Sequence, residues 1–95
     1  MPAYAIALVK VNNPEMYKEY AKLAAPAVAQ HGGRTLAIGG IAEVNEGGVP
    51  FDRVAVTEFS SVEAARACYT SPEYLLAQSK RIGAADFNMI FVEGK

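Results

Sequence analysis

Residues 4–20, YAIALVKVNNPEMYKEY, contain a strand, a turn and the start of a helix. The first eight of these residues form a largely apolar run, which predicts a strand buried on both faces. Asn13 then caps a helix, with Pro14 at the first helical position, where the missing N–H of proline costs nothing. This strand and this helix are the first two predicted elements of the chain.

The first helix carries one inner face with a period of 3.6 residues. That face consists of Tyr17, Tyr20, Ala21, Ala24, Val28 and His31. Pro26 interrupts the pattern, so we expect a kink or an early end there. Gly32–Gly33 stops the helix in any case.

The middle of the chain predicts two strands joined by a hairpin. Residues 34–38 begin the second strand, in which Gly39–Gly40 predicts a bulge before residues 41–45 continue it. Residues 46–50 then form a hairpin loop, and residues 53–59 return as the third strand.

The second helix is predicted in two pieces. Ser60 and Glu63 form a capping box that opens a helix over residues 62–69. Ser71–Pro72 restarts the helix, again as a cap followed by proline, and this piece extends to Ile82.

The last strand occupies residues 86–92, so the element order is β-α-β-β-α-β. That order predicts a single ferredoxin-like α+β domain over residues 1–95, with both helices on one face of a four-stranded antiparallel sheet. Right-handed crossovers place the first and third strands at the centre of this sheet.

The sheet face that the helices leave uncovered is also predicted to be apolar. Both sides of the first strand are apolar, and residues 87–92 of the last strand repeat this pattern. An open apolar face of roughly several hundred Å² is normally a contact surface. We therefore expect a homodimer in which two such faces pack together. The alternative is a monomer whose loops and C-terminal residues fold across the face.

Composition excludes several classes of function. Nine basic and ten acidic residues give a net charge of -1 with no basic cluster, which excludes a typical nucleic-acid binder. Cys68 is the only cysteine and His31 the only histidine, so neither an internal disulfide nor a Cys/His zinc site can form. We expect no metal and no cofactor. Without a signal-like start or an apolar run of about 20 residues, a cytoplasmic protein without membrane contact is expected.

Four motifs spread over nearly the whole chain resemble one family of small bacterial proteins. They are Asn13-Pro14-Glu15-x-Tyr17-x-x-Tyr20, His31-Gly32-Gly33-Arg34, Thr57-Glu58-Phe59-Ser60-Ser61 and Tyr69-x-Ser71-Pro72-Glu73-Tyr74. The family is "domain of unknown function 1330", and the resemblance implies the dimeric α/β-barrel superfamily, in which two ferredoxin-like sheets pair face to face.

That superfamily includes haem-degrading and antibiotic-biosynthesis monooxygenases, muconolactone isomerases and stress-induced barrel proteins. The resemblance implies an Asn/Trp/His set for the haem-degrading members, and this chain has no Trp. Haem degradation is therefore not carried over, and the fold alone does not transfer any other activity.

Arg34 and Glu58 are charged residues on predicted strands, and the other residues on the same face of each strand are apolar. The hairpin brings the start of the second strand beside the end of the third, and a charge on an apolar face must pair or reach solvent. The two residues form either a structural ion pair or a site for a small acidic or carbonyl-containing ligand. In the second case Glu58 is catalytic and Arg34 binds the ligand.

A cleft between helices and sheet, lined by Tyr17, His31 and Tyr74, is a further candidate. His31 titrates near neutrality and is a candidate catalytic base, whereas Tyr17 and Tyr74 would bind the ligand. Core packing of the tyrosines and a structural role for His31 at the helix end are the alternatives. Arg81 could close this cleft, or be a solvated side chain. Cys68 lies among alanines and is predicted to be a buried small hydrophobe.

Two classes of function remain. One is a cofactor-independent small-molecule enzyme or binder with one cleft per subunit, and the other is a non-catalytic dimeric ligand-sensing or stress-associated accessory module. A polar cluster within a pocket would favour the first class. A filled core with solvated charges would favour the second.

Overall fold

The computed structural model describes all residues from 1 to 95 as one four-stranded antiparallel sheet and three helices. The elements in chain order are β1 (Ala3–Val11), α1 (Pro14–Gln30), β2 (Arg34–Ile38), β3 (Arg53–Phe59), α2 (Val62–Tyr69), α3 (Pro72–Ser79) and β4 (Ala85–Glu93). The strand order is β2-β3-β1-β4, so the first and third strands are central, as predicted. The ferredoxin-like fold with a second helix in two pieces is confirmed.

The strand register divides the side chains between two faces of the sheet. Every second residue of β1 from Ala3 to Val9 is buried beneath the helices, next to the alternate residues Phe87 to Phe91 of β4. We call the other side the open face. It consists of Tyr4, Ile6, Leu8, Val54, Val56, Ile90 and Val92.

The open face is bare in the single chain. Ile90, near the middle of β4, is 62% exposed, and Val92 is exposed as well. The C-terminal end continues the pairing of β4 with β1, since the backbone N–H of Gly94 donates to the carbonyl of Pro2 at 2.7 Å, and Gly94 touches the face only at Tyr4. The apolar surface expected from the sequence is therefore present and uncovered.

The packed core has two parts on the helix side of the sheet. We call the first the α2 core: Ala5, Phe59, Ala65 and Cys68 join α2 to the central strands. The second, the helix core, lies between α1 and α3 and consists of Tyr20, Ala24, Ala27, Tyr74 and Ala77. Because α1 packs mainly against α3, it approaches the strands less closely than α2 does.

Helix α1 begins as predicted and continues further than expected. The Asn13 side chain accepts a hydrogen bond from the backbone N–H of Met16 at 3.2 Å, which caps the first turn. The predicted early end at Pro26 is wrong, since the helix continues to Gln30. Pro26 is exposed, so its ring meets solvent and not the packed side of the helix.

Strand β2 ends earlier than the sequence predicted. Its irregularity lies between Thr35 and Ala37 and not at Gly39–Gly40, and residues 41–45 form no strand. Gly39 has a φ of 69°, in the left-handed region that glycine tolerates, and this turns the chain out of the sheet. Residues 39–50 are then all exposed.

The caps of the two short helices differ in how well they were predicted. Ser61, and not Ser60, caps α2, because its backbone is extended and its hydroxyl accepts from the backbone N–H of Ala64 at 3.0 Å. Ser71 caps α3 as predicted and accepts from the backbone N–H of Tyr74 at 3.2 Å. Helix α3 ends at Ser79, three residues before the predicted end. None of the helices has both the length and the apolar character to cross a bilayer.

Candidate functional site

A cavity of about 290 Å³ lies between α1 and the sheet. Its walls come from β1, β2, β3 and β4 on one side and from α1 on the other, and most of its lining is apolar. The lining includes Ala7, Ala21, Ala24, Ala55, Tyr17, Arg53, Phe87 and Met89.

Alanine on both walls leaves this space empty. Ala7 and Ala55 are cross-strand partners at the centre of the sheet, and Ala21 and Ala24 face them from α1. Protein cores are normally filled to crystal-like density by larger side chains. Helix α1 packs against α3 and approaches the strands less closely than α2 does, and no neighbouring side chain takes up the missing volume.

Three aromatic rings and the guanidinium of Arg53 lie together at one end of the cavity, which we call the mouth, and Arg81 packs on two of these rings from outside the lining. The guanidinium of Arg53 lies 5.4 Å from the ring centroid of Tyr17. The guanidinium of Arg81 lies 3.8 Å from the centroid of Phe87 and 5.2 Å from that of Tyr20. Burial raises the pKa of Tyr17, although the nearby Arg53 and Arg81 oppose that rise, so its hydroxyl is a neutral hydrogen-bond donor at neutral pH.

The polar groups within the cavity are hydroxyls and cations. Thr35, Thr57 and Tyr69 contribute hydroxyl-bearing side chains, and Lys18, which is largely exposed and pairs with Glu15, is a second cation of the lining besides Arg53. Burial raises the pKa of Tyr69, which keeps it protonated. No carboxylate, imidazole or thiol lines the cavity, so it can hold and orient a ligand but offers no conventional general base.

Arg34 and Glu58 meet, as the sequence suggested, but on the other side of the sheet. Their side chains pair at 2.7 Å across β2 and β3, where Arg34 is 73% exposed and Glu58 27%. Glu58 also lies opposite Tyr4, which belongs to the open face. This ion pair therefore lies at the edge of the open face and not in the cavity.

The structure separates the three residues predicted to line one cleft. Tyr17 lines the cavity, whereas Tyr74 lies in the helix core and shares a 2.8 Å hydrogen bond with the hydroxyl of Tyr20. His31 lies at the opposite end of α1, with its Nε2 buried and 3.9 Å from Oε2 of Glu73. The catalytic roles of His31 and Glu58 and the ligand-binding roles of Arg34, Tyr17 and Tyr74 stay predictions.

Neither Arg53 nor the alanine walls stood out in the sequence. Arg53 shares its parity with Ala55 and Thr57, so a charge at the start of β3 on the helix side could have been noticed. The alanines gave a weaker signal, because small residues are as common where two elements pack closely as they are along a cavity wall. Cys68 is buried as predicted, and burial raises the pKa of its thiol to about 11.

The family model for the domain of unknown function DUF1330 matches residues 2–95. The chain belongs to the DUF1330 family. No protein with a curated function matches the sequence. No group of three His, Cys, Asp or Glu side chains in this DUF1330 chain is placed to hold a metal ion.

Several solved structures share the fold. RPA0582 from Rhodopseudomonas palustris, a protein of unknown function, has a TM-score of 0.80 at 23% identity, over 99% of this chain and 82% of that one. A dimeric ferredoxin-like protein of unknown function from Jannaschia sp. CCS1 has a TM-score of 0.79 at 10% identity, over 99% and 100% of the two chains. SnoaB from Streptomyces nogalater, a cofactor-independent oxygenase, has a TM-score of 0.74 at 12% identity, over 99% and 93%.

Proposed function

We propose that this DUF1330 protein binds a small, largely apolar molecule in the cavity between α1 and the sheet. The observation that carries the proposal is the cavity itself, whose volume of about 290 Å³ lies at the lower end of the range for ligand sites. A ligand restores the dispersion contacts that the alanine walls leave unmade. A completely filled core would instead have favoured the non-catalytic module without a pocket.

The proposed unit is a homodimer that forms through the open face. Two neighbours, from Jannaschia and from Bacteroides fragilis, are described as dimeric proteins with a ferredoxin-like fold. In this chain the exposed Ile90 and Val92 supply the apolar surface that such contact would bury. The dimer carries one cavity per subunit, since the cavity lies on the opposite side of each sheet. A cytoplasmic location stays a prediction.

An aspartate on the open face tests the dimer. We expect sedimentation of the wild type at micromolar concentration to give a mass near twice 10.1 kDa. Ile90→Asp should give a folded monomer, because a charge cannot be buried without a partner. Ile82→Asp is the matched control, since Ile82 is 71% exposed in the α3–β4 connection and lies outside the open face. A folded monomeric wild type would contradict this interface.

Filling the cavity tests the binding function. Ala7→Leu places a larger side chain in the cavity, and Ala67→Leu makes the same change at an exposed position on α2. The probe is 2-naphthalenemethanol, a neutral aromatic molecule, followed by calorimetry and thermal unfolding. We expect the wild type and Ala67→Leu to bind it and Ala7→Leu to lose at least tenfold in affinity. Absence of binding to the wild type, or equal binding to all three proteins, would refute the cavity as the ligand site.

Cofactor-independent oxygenation is a second candidate, favoured by the guanidinium of Arg53 at the mouth. In such a reaction a C–H of the substrate first loses its proton, here to water because no carboxylate, imidazole or thiol lines the cavity, and the resulting carbanion gives electrons to O₂. A new C–O bond forms, and a proton completes the hydroperoxide. A guanidinium stabilises the carbanion or enolate from which the reaction starts. SnoaB shares this fold and is described as such an enzyme. Oxygen consumption with 2-tetralone, lost in Arg53→Gln, would support this activity; the same rate in both proteins would exclude a role for Arg53.

A further inference from the structure

The mouth of the cavity holds the guanidinium of Arg53, and the guanidinium of Arg81 lies outside the lining, stacked on Phe87. Arg53 and Phe87 both pair with Val9, one from each side, so they lie on the same row beneath α1. Arg53 lies near the Tyr17 ring, and Arg81 stacks on Phe87. Two positive charges are therefore concentrated around the aromatic rings that open onto the cavity.

Neither of these arginines has an anionic partner in the chain. The ion pairs in the structure involve Lys18, Lys22, His31 and Arg34, and no carboxylate lies within 4.0 Å of Arg53 or Arg81. Asp52 is next to Arg53 in sequence, but both of its carboxylate oxygens accept from the backbone N–H of Val11, at 3.2 Å.

Arg81 is the more constrained of the two arginines. Its Nε is buried and has no hydrogen-bond acceptor, although buried donors in folded proteins are normally satisfied. That atom lies outside the cavity lining, so Arg81 acts on a ligand through its charge, and the direct hydrogen bonds to a ligand come from Arg53 at the mouth. A carboxylate suits this place because it accepts paired hydrogen bonds from a guanidinium, with a geometry that a neutral group does not match.

We propose that the molecule bound by this protein is a small aromatic acid, with its ring in the cavity and its carboxylate at the mouth. Arg53 contacts the carboxylate and Arg81 adds the second positive charge. Tyr17 donates its hydroxyl to the same group. This inference rests on the proposed function and names the ligand class of that site.

A pair of probes that differ only in charge tests the inference. 2-Naphthoate carries the carboxylate, and 2-naphthalenemethanol has the same ring with a neutral group. We expect the wild type to bind 2-naphthoate about tenfold more tightly than the alcohol, as charged hydrogen bonds allow. Raising the salt concentration should weaken binding of the acid and leave that of the alcohol unchanged.

Three arginine variants locate the contact. Arg53→Gln should remove the tenfold preference for the acid while keeping the affinity for the alcohol. Arg66→Gln is the control, because Arg66 is exposed on α2, away from the cavity lining. Arg34→Gln removes the same charge from the open face, and we expect it to keep the preference.

The outcomes separate this inference from the proposed function. Equal affinity for both probes in the wild type would overturn the acid preference and leave the cavity as a binding site. Loss of the preference in Arg34→Gln but not in Arg53→Gln would overturn the inference by moving the anion site to the open face. Failure of both probes to bind would contradict the proposed function as well.

Discussion

The space between the sheet and α2 is filled, whereas a cavity remains between the sheet and α1, although alanine is common in both places. Beneath α2, Ala65 is 0% exposed and packs in the same cluster as Phe59 and Cys68, so a small residue is matched by a large one. Beneath α1, Ala7 and Ala24 belong to opposite walls of a cavity. An alanine therefore closes a gap only where the neighbouring element approaches closely, as α2 approaches the strands and α1 does not.

Truncation of the largest side chain of the α2 core should have the largest effect. Phe59→Ala removes a ring that is fully buried, and we expect a loss of about 3–5 kcal/mol in the free energy of unfolding. Phe87→Ala makes the same truncation at the half-buried cavity wall and should cost less than half as much. Urea denaturation of both variants measures the difference. Equal losses in the free energy of unfolding would mean that the α2 core and the cavity wall are packed to the same density.

The N-caps of α3 and α1 allow a comparison of a buried with an exposed cap, with smaller expected changes in the free energy of unfolding. The Ser71 hydroxyl accepts from the backbone N–H of Tyr74 and donates to the carbonyl of Cys68 at 2.7 Å, in a buried position. Ser71→Ala should cost about 1–2 kcal/mol, whereas Asn13→Ala, at an exposed cap, should cost about 0.5–1 kcal/mol. Thermal unfolding of the two variants is the measurement. A neutral Ser71→Ala that also loses 2-naphthoate would instead place Ser71 in the ligand site.

The ion pair at the edge of the open face should have the smallest effect on the single chain. Because Arg34 is largely solvated, Arg34→Gln should cost less than about 1 kcal/mol. Replacing both Arg34 and Glu58 with Met should leave stability nearly unchanged. Unfolding should be measured in the monomeric Ile90→Asp background. A loss of about 3–5 kcal/mol there would show a pair that is far more buried than its exposure indicates.

Local signals predicted most of the fold. The cap at Asn13, the Ser71–Pro72 restart and the central first and third strands all depend on neighbouring residues or on chain order, and all are present. The end of β2 was missed because a glycine pair predicts a bulge and a turn equally well. At α2 the capping-box spacing selected Ser60, although the neighbouring Ser61 has the same hydroxyl and caps the helix.

The candidate site was less predictable, because a cavity depends on the distance between elements. Arg34 and Glu58 were found since they pair across a hairpin, which sequence order determines. Tyr17 was also identified, but its partner Arg53 reaches it from β3 across the layer between helix and sheet. No local sequence pattern determines the distance between α1 and the strands.

The contrast between the α2 core and the cavity beneath α1 is tested most directly by replacing one alanine with leucine in each. Ala65→Leu adds volume to the closed α2 core and should lower the free energy of unfolding by about 1–3 kcal/mol through overpacking. Ala7→Leu adds the same atoms to the cavity and should leave that free energy unchanged or higher. Urea denaturation of both variants beside the wild type gives the two values. If Ala7→Leu lowers the free energy of unfolding as much as Ala65→Leu does, the result would contradict the presence of a cavity beneath α1, on which the proposed site depends.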